Sequence, residues 1–425
     1  MKPRVLLVGL AMSVVTAGVL IAPVFGDVPG AAAGKRSFDA ALIARGAQLS
    51  AIGNCATCHT GPGGKSFAGG LPLKTPFGVI YSTNITPDVD TGIGAWTEAD
   101  FLRAMHDGVD RTGRNLYPAF PFDHFTRVTD EDVSAIYAYI MTRDAVTSRV
   151  PANRLMFPMN IRPLLSGWKT LYFDRGVYRP DPARSAEWNR GAYLVEGLGH
   201  CGACHTPRNS AGAETKSDPF GGGEAEGWRA SAINASSPAP MPWTVDQLTR
   251  YLRQGRDENH GTAAGPMSPV VHGLSEVPEA DIRAMATYLT TVMAGAPAGS
   301  GRRAALSLDD AQVSSGAAIF AGTCASCHGE GASSLSSVHA VPLALTTSIH
   351  EPDPRNVLHI VLEGIWPEPG EKGEQMPGFE GAFTDEQLTS LLAYVRVHFA
   401  NSPPWVDVSR QARDIISTRM KTSDD

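Results

Sequence analysis

Apolar side chains recur at three- and four-residue steps along several stretches of the chain. The clearest case is Leu388, Leu391, Leu392 and Val395, which puts one apolar face on a helix leading to Tyr394. Thr384 just ahead is an N-cap residue, and the acids after it suit the positive end of the helix dipole. Similar wording occurs twice before: Thr129-Asp-Glu-Asp-Val leads to Tyr139, and Pro278-Glu-Ala-Asp-Ile leads to Tyr288. Upstream of each lies a short helix carrying a glycine and a large apolar or aromatic residue, at Gly46 to Leu49, Gly191 to Tyr193 and Gly316 to Phe320. The pattern predicts three helical repeats, over 38–148, 184–296 and 309–402, in which a closing helix crosses an opening one.

The segments between them differ in character. A Pro/Gly/Ala-rich run around 297–308 reads as a linker, and 403–425 as a C-terminal tail. The connector at 149–183 contains Met156-Phe157-Pro158-Met159 and Trp168-Lys-Thr-Leu-Tyr-Phe173, too apolar for a free tether. It is expected either to pack back on the first repeat or to meet a partner subunit.

Lys2 and Arg4 precede a run from Val5 to Gly26 that carries no charge. About 20 such residues span a bilayer, so residues 1–30 are expected to hold an N-terminal membrane helix, with a cleaved signal peptide ending near Ala31 to Ala33 as the alternative. The basic start keeps the N-terminus cytoplasmic. Either reading puts the body on the periplasmic side of the inner membrane.

Composition adds limits. A length of 425 residues with 43% hydrophobic and 19% charged side chains suits several small folded units. The net charge of −7 and the lack of any Lys/Arg-rich run make nucleic acid an unexpected partner.

The six cysteines carry the chemistry. All fall into Cys55-Ala-Thr-Cys58-His59, Cys201-Gly-Ala-Cys204-His205 and Cys324-Ala-Ser-Cys327-His328. This is the c-type haem attachment sequence: two thiols add to the haem vinyl groups, and the adjoining histidine becomes the proximal iron ligand. A disulfide framework gives no reason for a histidine after every second cysteine. A thioredoxin-like site needs one Cys-x-x-Cys beside a strand-helix unit, and zinc ribbons pair such motifs at short separation. Three covalently bound haem c groups are therefore expected, on an all-α fold matching class I cytochromes c three times over.

A second ligand closes a haem iron for electron transfer. Met376, in Gln375-Met376-Pro377, and Met267, in Gly265-Pro266-Met267, stand in the loops before their closing helices. The first repeat has no methionine in the corresponding loop, Leu116 to Val128. His124 is the expected substitute, with Met105, His106 or an open iron as alternatives. Bis-histidine ligation would give the first haem a lower potential than its His/Met neighbours. Trp96, Trp228 and Trp366 stand between motif and loop, as core residues or as the lining of haem pockets.

Tyr81-Ser-Thr-Asn84-Ile-Thr-Pro-Asp88 with Thr91-Gly-Ile-Gly-Ala-Trp96, and Arg190-Gly-Ala-Tyr-Leu-Val-Glu-Gly-Leu-Gly-His-Cys201 through Asn209, resemble the triple-haem cytochrome c subunits of bacterial membrane-bound dehydrogenases. The resemblance implies docking to a catalytic subunit and delivery of electrons to ubiquinone in the cytoplasmic membrane. Phe120-Pro-Phe-Asp-His124, the Asn160 to Lys169 connector and Pro403-Pro-Trp405 are more similar to the branch paired with molybdopterin and iron-sulfur aldehyde dehydrogenases or N-heterocycle hydroxylases, and of these the resemblance implies aldehyde oxidation for the assembled complex. The branch paired with quinoprotein alcohol or flavin sugar dehydrogenases is the alternative. A c-type haem peroxidase, needing an open iron, and a free-standing shuttle are the readings outside the family.

Overall fold

Local capping sets where the helices begin. In the computed structural model, which describes residues 37–295, 310–329, 342–366 and 375–423, the opening helix Ala40–Ile52 starts where the Asp39 carboxylate accepts from the Ala41 and Leu42 N–H groups. The second, Ala186–Tyr193, starts where the Ser185 hydroxyl accepts from the Trp188 N–H, and the third spans Asp310–Thr323. The closing helices are Asp130–Met141, Glu279–Val292 and Asp385–Ala400. Thr129 and Thr384 cap the first and last as expected, each accepting from the N–H three residues on.

One crossing is built three times. A methyl group at Gly46 would overlap the Ala135 carbonyl and press on Tyr139; at Gly191 it would meet Ala284 and Tyr288, and at Gly316 Ser390 and Tyr394. Glycine is what lets the two helix backbones touch, one turn before the tyrosine. A further helix follows each crossing's first arm: Glu98–Asp107, Val245–Gln254 and Arg355–Glu363.

The frame is helical, but the expected all-α class needs a correction. Pro72–Thr75 pairs with Gly78–Tyr81 and on to Arg154–Leu155, Gly223–Ala225 pairs with Trp228–Ala230, and Arg256–Asp257 pairs with Gly261–Thr262. Strands of two to four residues are too short to show a period-two pattern, so the alternation left no trace in the sequence.

The first two repeats share one core, in which Leu49, Ile52 and Ile136 pack with Leu194, Leu198, Ile282 and Met285. At their junction the Tyr193 hydroxyl donates to the buried Asp132 carboxylate at 2.6 Å. The third repeat has its own core around Phe320, Leu358, Leu391 and Leu392. It meets the second through Arg229, which pairs with buried Glu351 at 3.0 Å, and through the Trp228 ring stacked on His359 at 4.6 Å. The stretch expected as a tail is instead the helix Val408–Ser423, which buries Val408 and Ala412 against that core.

The connector packs back on one face only. The Lys169 ammonium donates to Asn115 Oδ1 at 3.0 Å, Phe122 stands edge-on to Trp168 and Phe173, and the Trp168 indole N–H donates to the Ala211 carbonyl at 3.0 Å. Its other face is exposed.

The expected membrane segment at 1–30 and the linker at 297–308 lie outside the described residues. Among the described residues no helix is long and apolar enough to cross a membrane.

Candidate haem sites

Each Cys-x-x-Cys-His sequence forms a single helical turn: Cys55–Cys58, Gly202–His205 and Ala325–His328. A small hairpin follows the first two and sets a carbonyl beside the histidine. His59 Nδ1 donates to the Thr83 carbonyl at 2.7 Å, and His205 Nδ1 donates to the Ser231 carbonyl at 2.7 Å. Thr83 comes just after strand Gly78–Tyr81 and Ser231 just after Trp228–Ala230, so the two sites are built alike. Burial holds both imidazoles below their ordinary pKa, the carbonyl bond opposing it. A neutral ring with its proton on Nδ1 presents the Nε2 lone pair, the arrangement a second-shell acceptor imposes on a metal-binding histidine. His328 is likewise lowered by burial, and its Nδ1 has no partner among the described residues.

The cysteines are six free thiols, none in a disulfide. Burial, reinforced by Cys55, pushes Cys58 up to about 11, and burial with Cys204 pushes Cys201 up to about 12. A redox-active Cys-x-x-Cys has a depressed thiol pKa, which the first two motifs do not show.

The second and third sites open into one cavity of about 560 Å³. Its wall includes Cys201, Cys204 and His205 with Met267, and Cys324, Cys327 and His328 with Met376. Both proximal histidines and both methionines picked from the sequence thus meet around shared space; the first motif does not line it. Trp243 and His260 line the cavity as well, their rings stacked at 3.5 Å. His260 is 3% exposed, and its Nδ1 has no partner among the described residues. A buried orphan at the wall fits a group that brings its own acceptors, as a haem does with its carboxylates. Neither residue was picked from the sequence, although Trp243 had a signal: like Trp96, it immediately precedes a capping threonine, here Thr244, whose box with Gln247 opens Val245–Gln254.

His124 requires a correction. Its Nδ1 donates to the Glu196 carbonyl at 2.8 Å and its Nε2 meets Glu214 Oε1 at 2.7 Å, both across the junction with the second repeat. Burial opposes charging the ring, yet Glu214 and Asp123 hold its pKa above the ordinary value. Neither nitrogen is left for an iron. The loop register explains the error. Val109 bridges Asn115 as Arg256 pairs with Thr262, and five residues on from these partners stand Phe120 and Met267. In that register Phe120 stands where Met267 does in the second repeat. His106 is also engaged, its Nε2 donating to the Val128 carbonyl at 2.8 Å. Met105 lies eight residues after capping Thr97, as cavity-lining Leu252 lies eight after Thr244, which puts a sulfur donor at the equivalent place in the first repeat. Met376 is itself the bridge partner of Ile365, exchanging both backbone hydrogen bonds with it at 2.9 Å, whereas Met267 stands five residues beyond the equivalent partner Thr262. Of the tryptophans picked, Trp228 lines the cavity, Trp96 packs on the shared core, and Trp366 is exposed.

Residues 43–144 match the family model described as cytochrome c, and residues 311–395 match the one described as cytochrome c oxidase, cbb3-type, subunit III. A subunit of the nicotinate dehydrogenase of Pseudomonas putida is 46% identical over 386 residues, covering 90% of this chain but 32% of that relative, so the chain spans about a third of its length. The fructose dehydrogenase cytochrome subunit of Gluconobacter japonicus is 37% identical over 401 residues, with 87% of this chain and 82% of the relative covered. The gluconate 2-dehydrogenase cytochrome c subunit of Pantoea cypripedii is 36% identical over 427 residues, with 94% of each covered.

Proposed function

Because the chain belongs to the family of dehydrogenase cytochrome c subunits, we propose that it carries electrons from a catalytic dehydrogenase subunit to ubiquinone by way of three covalent haem c groups. Bound haem supplies one-electron redox chemistry, and the protein supplies position and tuning. The observation that carries the reading is the pair of 2.7 Å bonds from His59 and His205 to backbone carbonyls, which leave Nε2 free to ligate. Cys55 with Cys58, Cys201 with Cys204 and Cys324 with Cys327 hold the rings; His59, His205 and His328 ligate from one side, and Met267 and Met376 from the other. The middle repeat's place as a third cytochrome unit rests on its Cys201-x-x-Cys204-His205 sequence, the crossing at Gly191 and the hairpin behind His205. Haem staining with mass measurement of the purified chain tests the count: anything but three haem masses overturns it.

For the partner we favour a molybdopterin subunit with a small iron-sulfur subunit, acting on an aldehyde or an N-heterocycle, at the periplasmic face of the inner membrane. The 46% identity to a nicotinate dehydrogenase subunit, against 37% and 36% for the two sugar-related ones, supports that branch. Mass spectrometry and metal analysis of what co-purifies from solubilised membranes decide it. Molybdenum with an iron-sulfur subunit supports the reading, whereas a quinoprotein or flavoprotein sinks it.

One observation favours a second reading. With Phe120 at the methionine position the first iron can be open, as a peroxidase needs. High-spin absorption together with peroxide turnover by the isolated chain would select it.

A further inference from the structure

The connector's exposed face combines exposed apolar side chains with a local excess of positive charge. Of eleven exposed large apolar side chains among the described residues, seven lie between Met156 and Val177, with Phe157 at 78% and Leu171 at 72% exposure. No residue from 151 to 188 is buried. Over 149–184 there are seven lysines and arginines against Asp174 and Asp181, a local excess of five positive charges in a chain whose net charge is −7. Arg149, Arg154, Arg175 and Arg179 are exposed along it. The backbone beneath is fixed: Arg154–Leu155 pairs with Gly78–Val79, the Arg162 guanidinium donates to the Asn115 carbonyl at 2.8 Å, and Trp168 is tied to Ala211. The apolar side chains are therefore held outward by a packed support and are not a collapsed loop.

We propose that this face is an interfacial membrane anchor, with Phe157, Leu164 and Leu171 entering the headgroup and acyl boundary of an anionic bilayer and the flanking arginines meeting lipid phosphates. Apolar side chains rimmed by cations are the chemistry that binds such a surface, and each basic residue near it adds to the attraction. Arginine suits the rim because its stem covers apolar surface while its head stays at the phosphates. The rest of the molecule is negative and is repelled by the same lipids, so the sign of the charge decides which face turns to the membrane. The anchor is independent of residues 1–30 and fixes the orientation of the helical body, which a single N-terminal tether leaves free to swing.

The test uses the full-length holoprotein in nanodiscs. All six native cysteines lie in attachment sequences, so Phe157→Cys and Leu171→Cys each introduce one reactive thiol, with exposed Val406→Cys as the control. In phosphatidylglycerol/phosphatidylethanolamine discs, maleimide labelling at 157 and 171 should slow severalfold relative to 406, and the protection should shrink in phosphatidylcholine discs or after Arg154→Glu with Arg179→Glu. Equal labelling at all three sites in anionic discs overturns the proposal. Protection that needs an added catalytic subunit also overturns it and assigns the face to a protein partner. Labelling of the unsubstituted chain reports separately on whether the haem attachments exist.

Discussion

His124 and Glu214 meet at 2.7 Å across the junction of the first and second repeats, and the His124 ring lies against the second attachment turn, where a methyl at Gly202 would come within 2.9 Å of its Cε1. The contact ties the first repeat's distal loop to the second haem site. Removing the ring leaves the partly buried Glu214 carboxylate with Arg208, at 3.8 Å, as its remaining charged partner, a loss of about 1–3 kcal/mol. His124→Gln should therefore lower the thermal midpoint, measured by circular dichroism, without changing the spectrum of the first haem. A changed first-haem spectrum would restore His124 as its ligand.

The pH dependence of that loss has a definite sign. Burial opposes the shift, but Glu214 and Asp123 raise His124 above 6.5, so its contribution is fully present below about pH 6.5 and fades as pH rises through the raised value. Glu214 is desolvated, which alone would raise it, yet His124 and Arg208 hold it below 4.5, so its contribution is present above about pH 4.5 and fades on acidification. His200, lowered to about 4 by burial and then by the His124 charge, stays neutral across this window. The wild type and His124→Gln should differ most between about pH 4.5 and 6.5 and converge towards high pH. A difference independent of pH would mean that the charge pair contributes nothing.

The three attachment sites, the capped closing helices and the Gly/Tyr wording were legible because each is a local pattern. The crossing that explains the glycines was not, since Gly46 touches Ala135 only after the chain has returned. His124 was misread for a related reason. Its distance from the closing helix looked right, but ligand position is set by the strand register that pairs Val109 with Asn115, and one bridge leaves no sequence pattern. The Thr83 and Ser231 carbonyls are invisible in principle, because any residue supplies a carbonyl.

Phe120→Met should place sulfur where Met267 stands in the second repeat. The first haem then becomes a closed His/Met site with a higher potential, since methionine ligation raises it. Spectropotentiometry should show the lowest of the three midpoints move up, together with new sulfur-to-iron charge-transfer absorption. Unchanged titrations would mean that another group, with Met105 foremost, already holds that iron.

Gly191→Ala tests the repeated crossing. The added methyl meets the Ala284 carbonyl and the Tyr288 side chain, and a helix backbone cannot yield as a side chain can. Overpacking of this kind costs about 3 kcal/mol or more. Denaturant unfolding should show that loss at Gly191 and a negligible effect for Gly167→Ala, in the helix Leu165–Tyr172, whose added methyl meets nothing within 4 Å. Similar losses at both would remove the helix contact as the cause.

On the proposed reading the second and third haems occupy one cavity and are expected to depend on each other for folding. A ring missing from either motif leaves apolar wall around the other unfilled, and unfilled volume costs stability. Cys201→Ser with Cys204→Ser, which prevents attachment at the second motif, should disturb the third haem's spectrum and lower the helix content of both repeats. Cys55→Ser with Cys58→Ser should leave the second and third haems intact, because the first motif does not line that space. Haem staining, circular dichroism and reduced-state absorption of the two variants separate the outcomes. An undisturbed third haem in the first variant would mean that protein closes between the two rings when they are bound.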